Sequence, residues 1–414
     1  MDRRERIAAL IREELQGLPQ ETHDPSLGMP LQVMPYGADE VIAALNCMLS
    51  TYVTMGAEVR RFEAEWAAYC GAEHAVMVNS GSSANLIALA ALVASGQLQP
   101  GDEVLVPAVA WSTSLFPIAQ VGLVPVMVDV EPDTLCLDVA AAKAAMTPRT
   151  KAALLVHLMG QPGDVAGLEA LGLTVVEDAC AAPGAERGGR RVGAQGVMGT
   201  FSFFFSHHIT TIEGGIVVLN DPGLTDLLRS LRAHGWVRER GDRAALEKAH
   251  DSIDPRFLFV TAGYNLRPTE LAAAFGLRQL QRLPAWLDRR RESHRLFCEA
   301  LAGLPGVNTL PERPGERHAS MAFPILLDEG VDRRAVMAHL ESRGIQTRPI
   351  SGSNLARQPA FTSVPGARIA GALTVADAVH ERGFFVGNSH AFGAGHAARL
   401  RLTLEEVLHV QGRI

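Results

Sequence analysis

The chain has 414 residues and is 47% hydrophobic and 20% charged, a composition that can bury two domains or one large domain with an appendage. Its formal net charge of -7 is modest, so neither nucleic acid nor an anionic membrane is expected as a partner. The five cysteines are scattered and form no CxxC pair, so we expect no disulfide framework and no zinc or iron–sulfur metal site.

The chain begins with MDRRERIAALIREELQGL, an amphipathic helical pattern with charges spread along it. This pattern predicts an N-terminal helix or arm over residues 1–30 and differs from a signal peptide, which has an apolar central region. The chain contains no run of about 18 uncharged apolar residues, so no membrane-spanning helix is expected. We therefore expect a cytoplasmic protein.

Short β-rich runs alternate with helical runs between about residues 74 and 220. The β-rich runs are HAVMVN, EVLVP, VPVMVDV, KAALLVHL, LTVVEDA, GTFSFFF and GGIVVLN. This alternation predicts an α/β fold with a mainly parallel sheet covered by helices. We assign residues 31–285 to a large domain that ends near Pro284, which predicts a break in the helical stretch 267–304. The later pattern predicts a smaller α+β C-terminal domain over residues 286–414.

Candidate ligand-binding residues follow the predicted strands, where ligands bind on sheets of this type. VNSGSSANLIALAAL predicts a helix whose N-terminus, with Gly81 and Ser82, can hold a phosphate, although a plain serine N-cap gives the same pattern. Asp178 ends a buried strand, where a carboxylate can pair with a pyridinium nitrogen or cap the next turn. Trp111 follows another strand and can stack on a cofactor ring or pack in the core.

The segment FSFFFSHHITTIEGG combines a hydroxyl at Ser202, two histidines and a Gly-Gly pair in one predicted loop. Adjacent side chains of an extended chain point in opposite directions, so we expect at most one of His207 and His208 to face a site. A structural role for both histidines is the alternative.

In their order and spacing, these segments together resemble the PLP-dependent sugar aminotransferase family (DegT/DnrJ/EryC1/StrS). The likeness extends from about residue 53 to the C-terminus and includes VPAVAWSTSLFPIAQVG, TKAALLVHLMGQPGD, VVEDACAAPGA and GYNLRPTELAAAFGLRQL. It implies the fold-type I PLP-dependent transferase architecture, with a mainly parallel seven-stranded sheet and helices on both faces. It also implies that Asp178 meets the nitrogen of the cofactor ring and that Trp111 covers the ring face.

The resemblance further implies a phosphate site for pyridoxal 5′-phosphate (PLP) made by Gly81, Ser82 and Ser202. Asn265 of the GYN segment would reach the phosphate of the neighbouring subunit. The protein is therefore expected to be an obligate homodimer with shared active sites.

A lysine that forms a Schiff base with PLP is missing from its usual place. Counting back from Glu213–Gly215 along the family pattern places His207 on that lysine. The chain has three lysines, of which Lys151 begins a predicted strand and Lys143 and Lys248 lie in charged helical stretches. None of them can replace it, so no Schiff base with the protein is expected.

A histidine in this place is typical of the sugar 3-dehydratase branch, which removes the C3 hydroxyl from a nucleotide-linked 4-keto-6-deoxyhexose. GIQTRPISGSNLARQPAF (344–361) also resembles that branch and implies substrate-binding roles for Arg348, Asn354 and Arg357. The working cofactor would be the amine form, pyridoxamine 5′-phosphate (PMP). His207 would be the base that takes a proton from it, because a neutral imidazole suits that task.

Dehydratases that receive electrons from a reductase carry a cysteine cluster after this loop, but here no cysteine lies between Cys180 and Cys298. The resemblance is therefore to dehydratases that use L-glutamate to regenerate PMP, release ammonia and need no reductase. It implies a glutamate site with Arg238 as carboxylate clamp, near Trp236 and Ser206. A solvated surface position is the alternative for Arg238.

Several positions depart from the family pattern. Ala181 replaces a polar residue, Ile212 replaces a glycine, and the unusual segments 349–354 and 387–395 are candidates to line the sugar or nucleotide pocket. Two other functions stay open: a sugar-nucleotide aminotransferase that works with His207, and a non-catalytic PLP-binding homologue. The sequence does not specify the nucleotide or the hexose stereoisomer.

Overall fold

The computed structural model describes residues 2–16, 23–24, 26, 28–33 and 36–413. The α-helices are α1 (Arg3–Glu14), α2 (Ala38–Ser50), α3 (Ala57–Cys70), α4 (Gly81–Ala94), α5 (Ser112–Gln120), α6 (Val139–Ala145), α7 (Val165–Glu169), α8 (Pro222–Arg232), α9 (Arg243–Ala249), α10 (Glu270–Leu301), α11 (Arg333–Ser342), α12 (Thr374–Arg382) and α13 (Ala394–Val410). Short 3₁₀ turns cover Leu158–Gly160, Pro255–Phe257, Leu355–Arg357 and Pro359–Ser363.

The strands form a large, a small and a three-stranded sheet. They are β1 (His74–Val78), β2 (Glu103–Pro107), β3 (Val124–Val128), β4 (Thr150–Val156), β5 (Thr174–Asp178), β6 (Glu186–Arg187), β7 (Arg190–Arg191), β8 (Met198–Ser202), β9 (Gly215–Leu219), β10 (Val307–Thr309), β11 (Glu316–Arg317), β12 (Ala322–Leu327), β13 (Thr347–Pro349), β14 (Arg368–Ile369) and β15 (Gly383–Gly387). Within the described residues, no helix is long and apolar enough to cross a membrane.

The large sheet has the strand order β1-β9-β8-β5-β4-β2-β3-β14. Strand β9 runs antiparallel to both of its neighbours, and the other pairs are parallel. The seven β-rich runs of the sequence all become strands of this sheet, which confirms the mainly parallel α/β prediction. The sequence did not predict the eighth strand, β14, whose two residues pair with the edge strand β3 after a long loop.

Helices cover both faces of the large sheet because side chains alternate along each strand. Val76 and Val78 of β1 pack into a cluster with apolar residues of α4, α5 and α8. Ala75 and Met77 of the same strand pack into a second cluster with α3 and the first half of α10. The carboxyl ends of the strands are left at the edge between these layers, where loops begin.

The small sheet, in the order β10-β12-β15-β13, is antiparallel and packs with α11 and α13 around its own core. Helix α10 joins the two cores, because Leu283 and Leu287 pack in the large-domain cluster and Phe297 packs in the small-domain cluster. The predicted break at Pro284 is wrong, since α10 continues through it. Pro284 is exposed, so the carbonyl that it leaves without a helical partner can reach water while its buried neighbours hold the helix in place.

The predicted domain boundary between residues 285 and 286 falls inside α10, which both predicted domains therefore share. The predicted arm over residues 1–30 contains α1, and residues 1, 17–22, 25 and 27 of that arm lie outside the described residues. Met29, near the end of the arm, pairs with Ile345 of the small domain.

Candidate active site

The carboxyl ends of β1, β5 and β8 lie at the same edge of the sheet, since these three strands run in the same direction. Gly81 follows β1, and a methyl group built on it would lie 2.5 Å from the Cβ of Ser202 and 2.9 Å from the Sγ of Cys180. Asp178 is linked to the same place, because its Oδ1 accepts a hydrogen bond from the N–H of Cys180 at 3.1 Å. The structure thus brings together Gly81, Asp178 and Ser202.

Helix α4 begins at this edge and its N-terminus forms a cradle for an anion. Ser80 caps the helix by accepting a hydrogen bond from the N–H of Ser83 at 3.1 Å, and the Ser82 hydroxyl donates to Thr113 Oγ1 at 2.9 Å. Only a residue without a side chain at position 81 lets Ser202 approach so closely. Free N–H groups at the start of a 14-residue helix, with a serine beside them, fit the phosphate of the cofactor.

The Asp178 carboxylate is buried in a network of neutral donors. Its Oδ2 accepts hydrogen bonds from Asn85 Nδ2 at 2.8 Å and from Ser114 Oγ at 2.7 Å. These donors hold the carboxylate in place. Its Oδ1 caps the turn after β5 through the Cys180 N–H, as the sequence allowed, and the carboxylate can in addition pair with the protonated nitrogen of a pyridine ring. The sequence analysis did not identify Asn85 and Ser114 as site residues. For Asn85 a signal was available, because it is the one amide among the apolar residues of ANLIALAALVA.

Glu177, which directly precedes Asp178 on β5, faces away from the site and organises the loop after β7. Its oxygens accept hydrogen bonds from the backbone N–H groups of Gly193, Gln195 and Gly196 at 2.6–2.7 Å and from His157 Nε2 at 2.9 Å. Burial by itself would raise the pKa of Glu177, but the bonds from His157, Gly196 and Gly193 outweigh burial and lower it. Glu177 is a structural anion.

The two adjacent histidines have different surroundings. His208 is buried, and its Nε2 donates to the backbone oxygen of Ala319 at 3.0 Å, so it belongs to the protein interior. His207 is half-buried, and its buried Nδ1 has no hydrogen-bond partner among the described residues. Burial, reinforced by the nearby Arg290 guanidinium and opposed by Asp178, lowers the pKa of His207 to about 4. His207 is consequently a neutral imidazole with a free nitrogen for a ligand.

The loop after the histidines holds Ile212 in the left-handed region, with φ of +71°. Thr210 Oγ1 accepts a hydrogen bond from the Ile212 N–H at 2.8 Å, and Thr211 Oγ1 donates to the Glu213 oxygen at 2.8 Å. A β-branched residue rarely adopts such a backbone conformation. This conformation explains why the family pattern has glycine in the place of Ile212.

The three lysines lie outside the site. Lys143, Lys151 and Lys248 are all exposed, on α6, β4 and α9 respectively. None of them follows a strand end of the cluster around Asp178.

PLP is therefore expected to bind without a covalent bond to the protein. Borohydride reduction of the PLP-loaded protein, followed by mass spectrometry after denaturation, should return the mass of the bare chain. A His207→Lys variant is the matched control and should gain the mass of reduced PLP. Attachment of reduced PLP to a lysine of the unaltered protein would contradict this prediction.

Trp111 is 61% exposed, which excludes core packing as its main role. It lines a cleft of about 340 Å³ between the start of α5 and residues 352–361, with Leu115, Leu355 and Phe361 among the other walls. The aromatic ring and the NLARQPAF segment, both singled out in the sequence, thus meet across this cleft.

Asn354 and Arg357 are both bound to Asp377 of α12. Asn354 Nδ2 donates to Asp377 Oδ1 at 2.7 Å, and Arg357 donates to both oxygens of the same carboxylate at 3.0 and 2.8 Å. Their side chains therefore fix the segment that forms one wall of the cleft. Arg348 is exposed on β13, where it donates to the backbone oxygen of Thr347 at 2.7 Å. Substrate binding by these three residues stays a prediction.

Arg238 and Trp236 share one face of their segment, since the Arg238 guanidinium carbon lies 5.3 Å from the centre of the Trp236 ring. Trp236 also stacks on Phe257, with ring centres 6.5 Å apart. Within the described residues, no hydrogen bond or ion pair joins Arg238 to the exposed Ser206 or to His207. A glutamate site formed by these residues stays a prediction.

Asn265 is exposed, and its Oδ1 accepts a hydrogen bond from Arg267 Nε at 3.0 Å. It lies beside the turn before α4, because the neighbouring Leu266 oxygen accepts a hydrogen bond from the Asn79 N–H at 3.1 Å. Its contact with the neighbouring subunit's phosphate stays a prediction.

The expectation that residues 387–395 line the pocket is wrong for Asn388, Ser389 and His390, which are buried at the joint of the two domains. Asn388 Nδ2 donates to Ser320 Oγ at 2.7 Å, and the His390 ring stacks on Trp286 with centres 4.8 Å apart. The end of β15 packs against α10, which removes these side chains from the cleft. By contrast, Gly352 of the segment 349–354 does line the cleft.

In the described residues, no group of three or more histidine, cysteine, aspartate or glutamate side chains is placed to hold a metal ion.

Comparison with known proteins gives strong similarity over most of the chain. A model of the DegT/DnrJ/EryC1/StrS aminotransferase family matches residues 35–401. GDP-4-keto-6-deoxy-D-mannose 3-dehydratase of Yersinia pseudotuberculosis is 37% identical over 372 residues, which cover 87% of this chain and 94% of the relative. dTDP-4-dehydro-2,6-dideoxy-D-glucose 3-dehydratase of Saccharopolyspora spinosa is 37% identical over 411 residues, which cover 93% of this chain and 88% of the relative.

Solved structures are similar to the chain as well. A crystal structure of GDP-4-keto-6-deoxymannose-3-dehydratase with a trapped PLP–glutamate geminal diamine is 33% identical and has a TM-score of 0.84. The similarity covers 91% of this chain and 100% of that one. The large sheet, the small domain and the strand ends that carry the candidate site thus all fall within the matched part.

Proposed function

The chain belongs to the DegT/DnrJ/EryC1/StrS aminotransferase family, and on that premise we propose that it is a PLP/PMP-dependent 3-dehydratase of a nucleotide-linked 4-keto-6-deoxyhexose. One observation carries the proposal: the family's lysine position holds His207, a neutral histidine with a buried nitrogen that has no partner in the described part of the chain. Such a group can move a proton but cannot bind the cofactor covalently.

When bound, PMP supplies an amine that condenses with the C4 ketone of the sugar and a ring that accepts electrons. Gly81, Ser82 and Ser202 would hold the phosphate, and the Asp178 carboxylate would pair with the protonated ring nitrogen. The neutral His207 would accept the proton at C4′, a transfer that would let the C3 hydroxyl of the sugar leave. Buried Asp178 and half-buried His207 carry out these steps where water has limited access.

Glutamate supplies the two electrons that the reaction consumes. The sugar loses one oxygen atom, glutamate becomes 2-oxoglutarate and ammonia is released, so the balance closes without an outside reductase. The glutamate adduct trapped in the similar crystal structure supports this choice of donor. The cytoplasmic location predicted from the sequence is part of the proposal.

A panel of substrates tests this function. GDP-, dTDP- and CDP-linked 4-keto-6-deoxyhexoses are incubated with the protein, PLP and glutamate, and the products are read by mass spectrometry and by an ammonia assay. A sugar that has lost one oxygen, with an equal amount of ammonia, is the expected result. An amino sugar would instead identify an aminotransferase, and no reaction with any member would favour a non-catalytic homologue.

We also propose a homodimer, because large apolar side chains are exposed around the site. They are Tyr52, Phe204, Phe205, Ile212, Phe257 and Phe259. Large exposed apolar side chains can mark an interface when they lie together, and two of these residues, Phe204 and Phe205, directly precede the Ser206–His208 turn. Light scattering should give twice the mass of one chain, and a monomer at micromolar concentration would contradict the proposal.

Arg238→Ala is expected to slow the conversion of PLP to PMP by glutamate. Loss of a hydrogen bond to a charged group costs about 1.5–3 kcal/mol, so the rate should fall by roughly 10- to 150-fold. The measurement is stopped-flow absorbance of the cofactor at limiting glutamate. Arg243→Ala, which removes a surface pair with Glu247, is the matched control and should have no effect.

Supplied with PMP, the Arg238→Ala variant should still complete one dehydration. A failed single turnover together with normal amination by glutamate would assign Arg238 to the sugar nucleotide instead.

A further inference from the structure

Asn85 is a buried amide in the apolar body of α4, with 2% of its surface exposed. Its side chain joins α4 to three other elements. Nδ2 donates to Asp178 Oδ2 at 2.8 Å and to the backbone oxygen of Thr113 at 3.1 Å, and Oδ1 accepts from Thr200 Oγ1 at 2.6 Å. Every polar atom of the amide is therefore paired inside the protein.

The acceptors around Asn85 determine which end of its amide faces Asp178. The Asp178 carboxylate oxygen and the Thr113 backbone oxygen can only accept, so both require the amide nitrogen. The opposite orientation would place the amide oxygen against both of these oxygens, without a proton between them. The Thr200 hydroxyl, on β8, donates to the remaining Oδ1 and also lies 3.2 Å from the backbone oxygen of Glu177.

The Asp178 carboxylate receives three hydrogen bonds from neutral donors, which are Asn85 Nδ2, Ser114 Oγ and the N–H of Cys180. A carboxylate has about four lone-pair positions, and the Cys180 side chain also hydrogen-bonds to Asp178, so a ligand N–H would take the position that this weak donor holds. These donors are all neutral, so they orient the Asp178 carboxylate without placing a positive charge beside it.

Two other ionisable side chains face Asp178, and neither cancels its charge. Burial, with the charge of Asp178 itself, raises the pKa of the Cys180 thiol well above its usual range. Burial lowers the pKa of His207 to about 4. Both groups are uncharged at neutral pH, so neither places a positive charge beside the Asp178 carboxylate.

We propose that Asn85 is a positioning residue that keeps the Asp178 carboxylate aimed at the pyridine nitrogen of the cofactor, and so keeps that nitrogen protonated. A ring that loses this proton accepts electrons less well when His207 removes the proton at C4′. The inference rests on the PLP/PMP chemistry of the proposed function but not on which sugar is accepted.

The protonation of the ring nitrogen is read directly by ¹⁵N NMR of the holoprotein loaded with PLP labelled at that nitrogen. In the unaltered protein the nitrogen should stay protonated up to the highest pH at which the fold persists. In Asn85→Leu, which keeps the side-chain volume, its pKa should fall by about one unit or more, a tenfold change in the protonation equilibrium. Ser114→Ala should shift it in the same direction.

Ser95→Ala, at the far end of α4, is the control and should leave the nitrogen titration unchanged. The double variant Asn85→Leu/Thr200→Val also removes the hydroxyl that donates to Asn85 Oδ1, and it should behave like Asn85→Leu. A folded, PLP-loaded Asn85→Leu protein with an unchanged ¹⁵N titration would show that Asn85 only packs, and would overturn the proposal.

If Asn85→Leu does not fold, the ¹⁵N titration is measured in Ser114→Ala and Thr200→Val instead. An unchanged pKa of the ring nitrogen in both variants would also overturn the proposal. A failure of the proposed function is separate, because it would appear in the sugar panel while the nitrogen titration of the variants still shifted.

Discussion

His207→Asn is expected to lower the rate of dehydration by roughly 10²–10⁴, the usual worth of a positioned general base, while PLP still binds. Asparagine has a similar size but cannot take up a proton. The phosphate cradle at Gly81 and the Asp178 carboxylate do not depend on residue 207, so the cofactor affinity should change little. The measurements are product formation with the accepted sugar nucleotide and titration of PLP by absorbance.

His208→Asn is the matched comparison and should affect the rate much less. Its Nε2 bonds to Ala319 in the interior, so the main cost of that variant should be stability. If the effects of the two substitutions were reversed, the register of the loop would be wrong. His207→Lys should bind PLP covalently and lose dehydration.

The pH profile gives a second test of His207. A base must be deprotonated to act, so the rate should fall only as the pH drops through the pKa of His207. Since burial lowers that pKa to about 4, the acid limb should lie well below the usual histidine value of about 6.5. A limb at about 6.5 that is absent from His207→Asn would contradict the proposed surroundings of the imidazole.

Glu177→Gln should lower the free energy of unfolding by about 3–5 kcal/mol, the range found when one partner of a buried pair is removed. The glutamine side chain would place an NH₂ group where Glu177 now accepts hydrogen bonds from backbone N–H groups and His157. Urea unfolding measures the change. Glu169→Gln, an exposed substitution at the end of α7, should stay within about 0.5 kcal/mol of the unaltered protein.

The effect of Glu177→Gln should depend on pH. The pKa of Glu177 is lower in the folded protein than in the unfolded chain, where it is about 4.3. Its contribution to stability is therefore fully present above about pH 5 and is lost as the pH falls towards the folded value. The difference between the two proteins should shrink below about pH 4, and a difference independent of pH would contradict a role for the charge.

The sequence was sufficient to predict the seven main strands because each is a short β-rich run next to a helical run. It also placed Gly81, Asp178 and Ser202 at one edge, since residues after parallel strands meet there. The adjacent Glu177 and Asp178 necessarily face opposite ways on a strand, but alternation alone does not say which one faces the cofactor.

Contacts between distant parts of the chain were not predictable in this way. Asn85 and Thr200 are 115 positions apart, and neither stood out as a partner of Asp178 until the fold brought α4, β5 and β8 together. Pro284 predicted a helix break from its local chemistry, yet packing on both sides keeps α10 continuous. The unusual segment 387–395 was a candidate to line the pocket, but Asn388 in it is hydrogen-bonded to Ser320 in the interior.

Helix α10 also bears on how the molecule loses its structure. One continuous segment supplies Leu283 to the interior of the large domain and Phe297 to that of the small domain, and between them Arg290 donates to the backbone oxygens of Met321 and Asn388. When either domain core unfolds, part of this helix loses its apolar contacts. A helix without packing contacts has only marginal stability in water. The two domains should consequently denature as a single cooperative unit, with calorimetric and van't Hoff enthalpies that agree for the protomer.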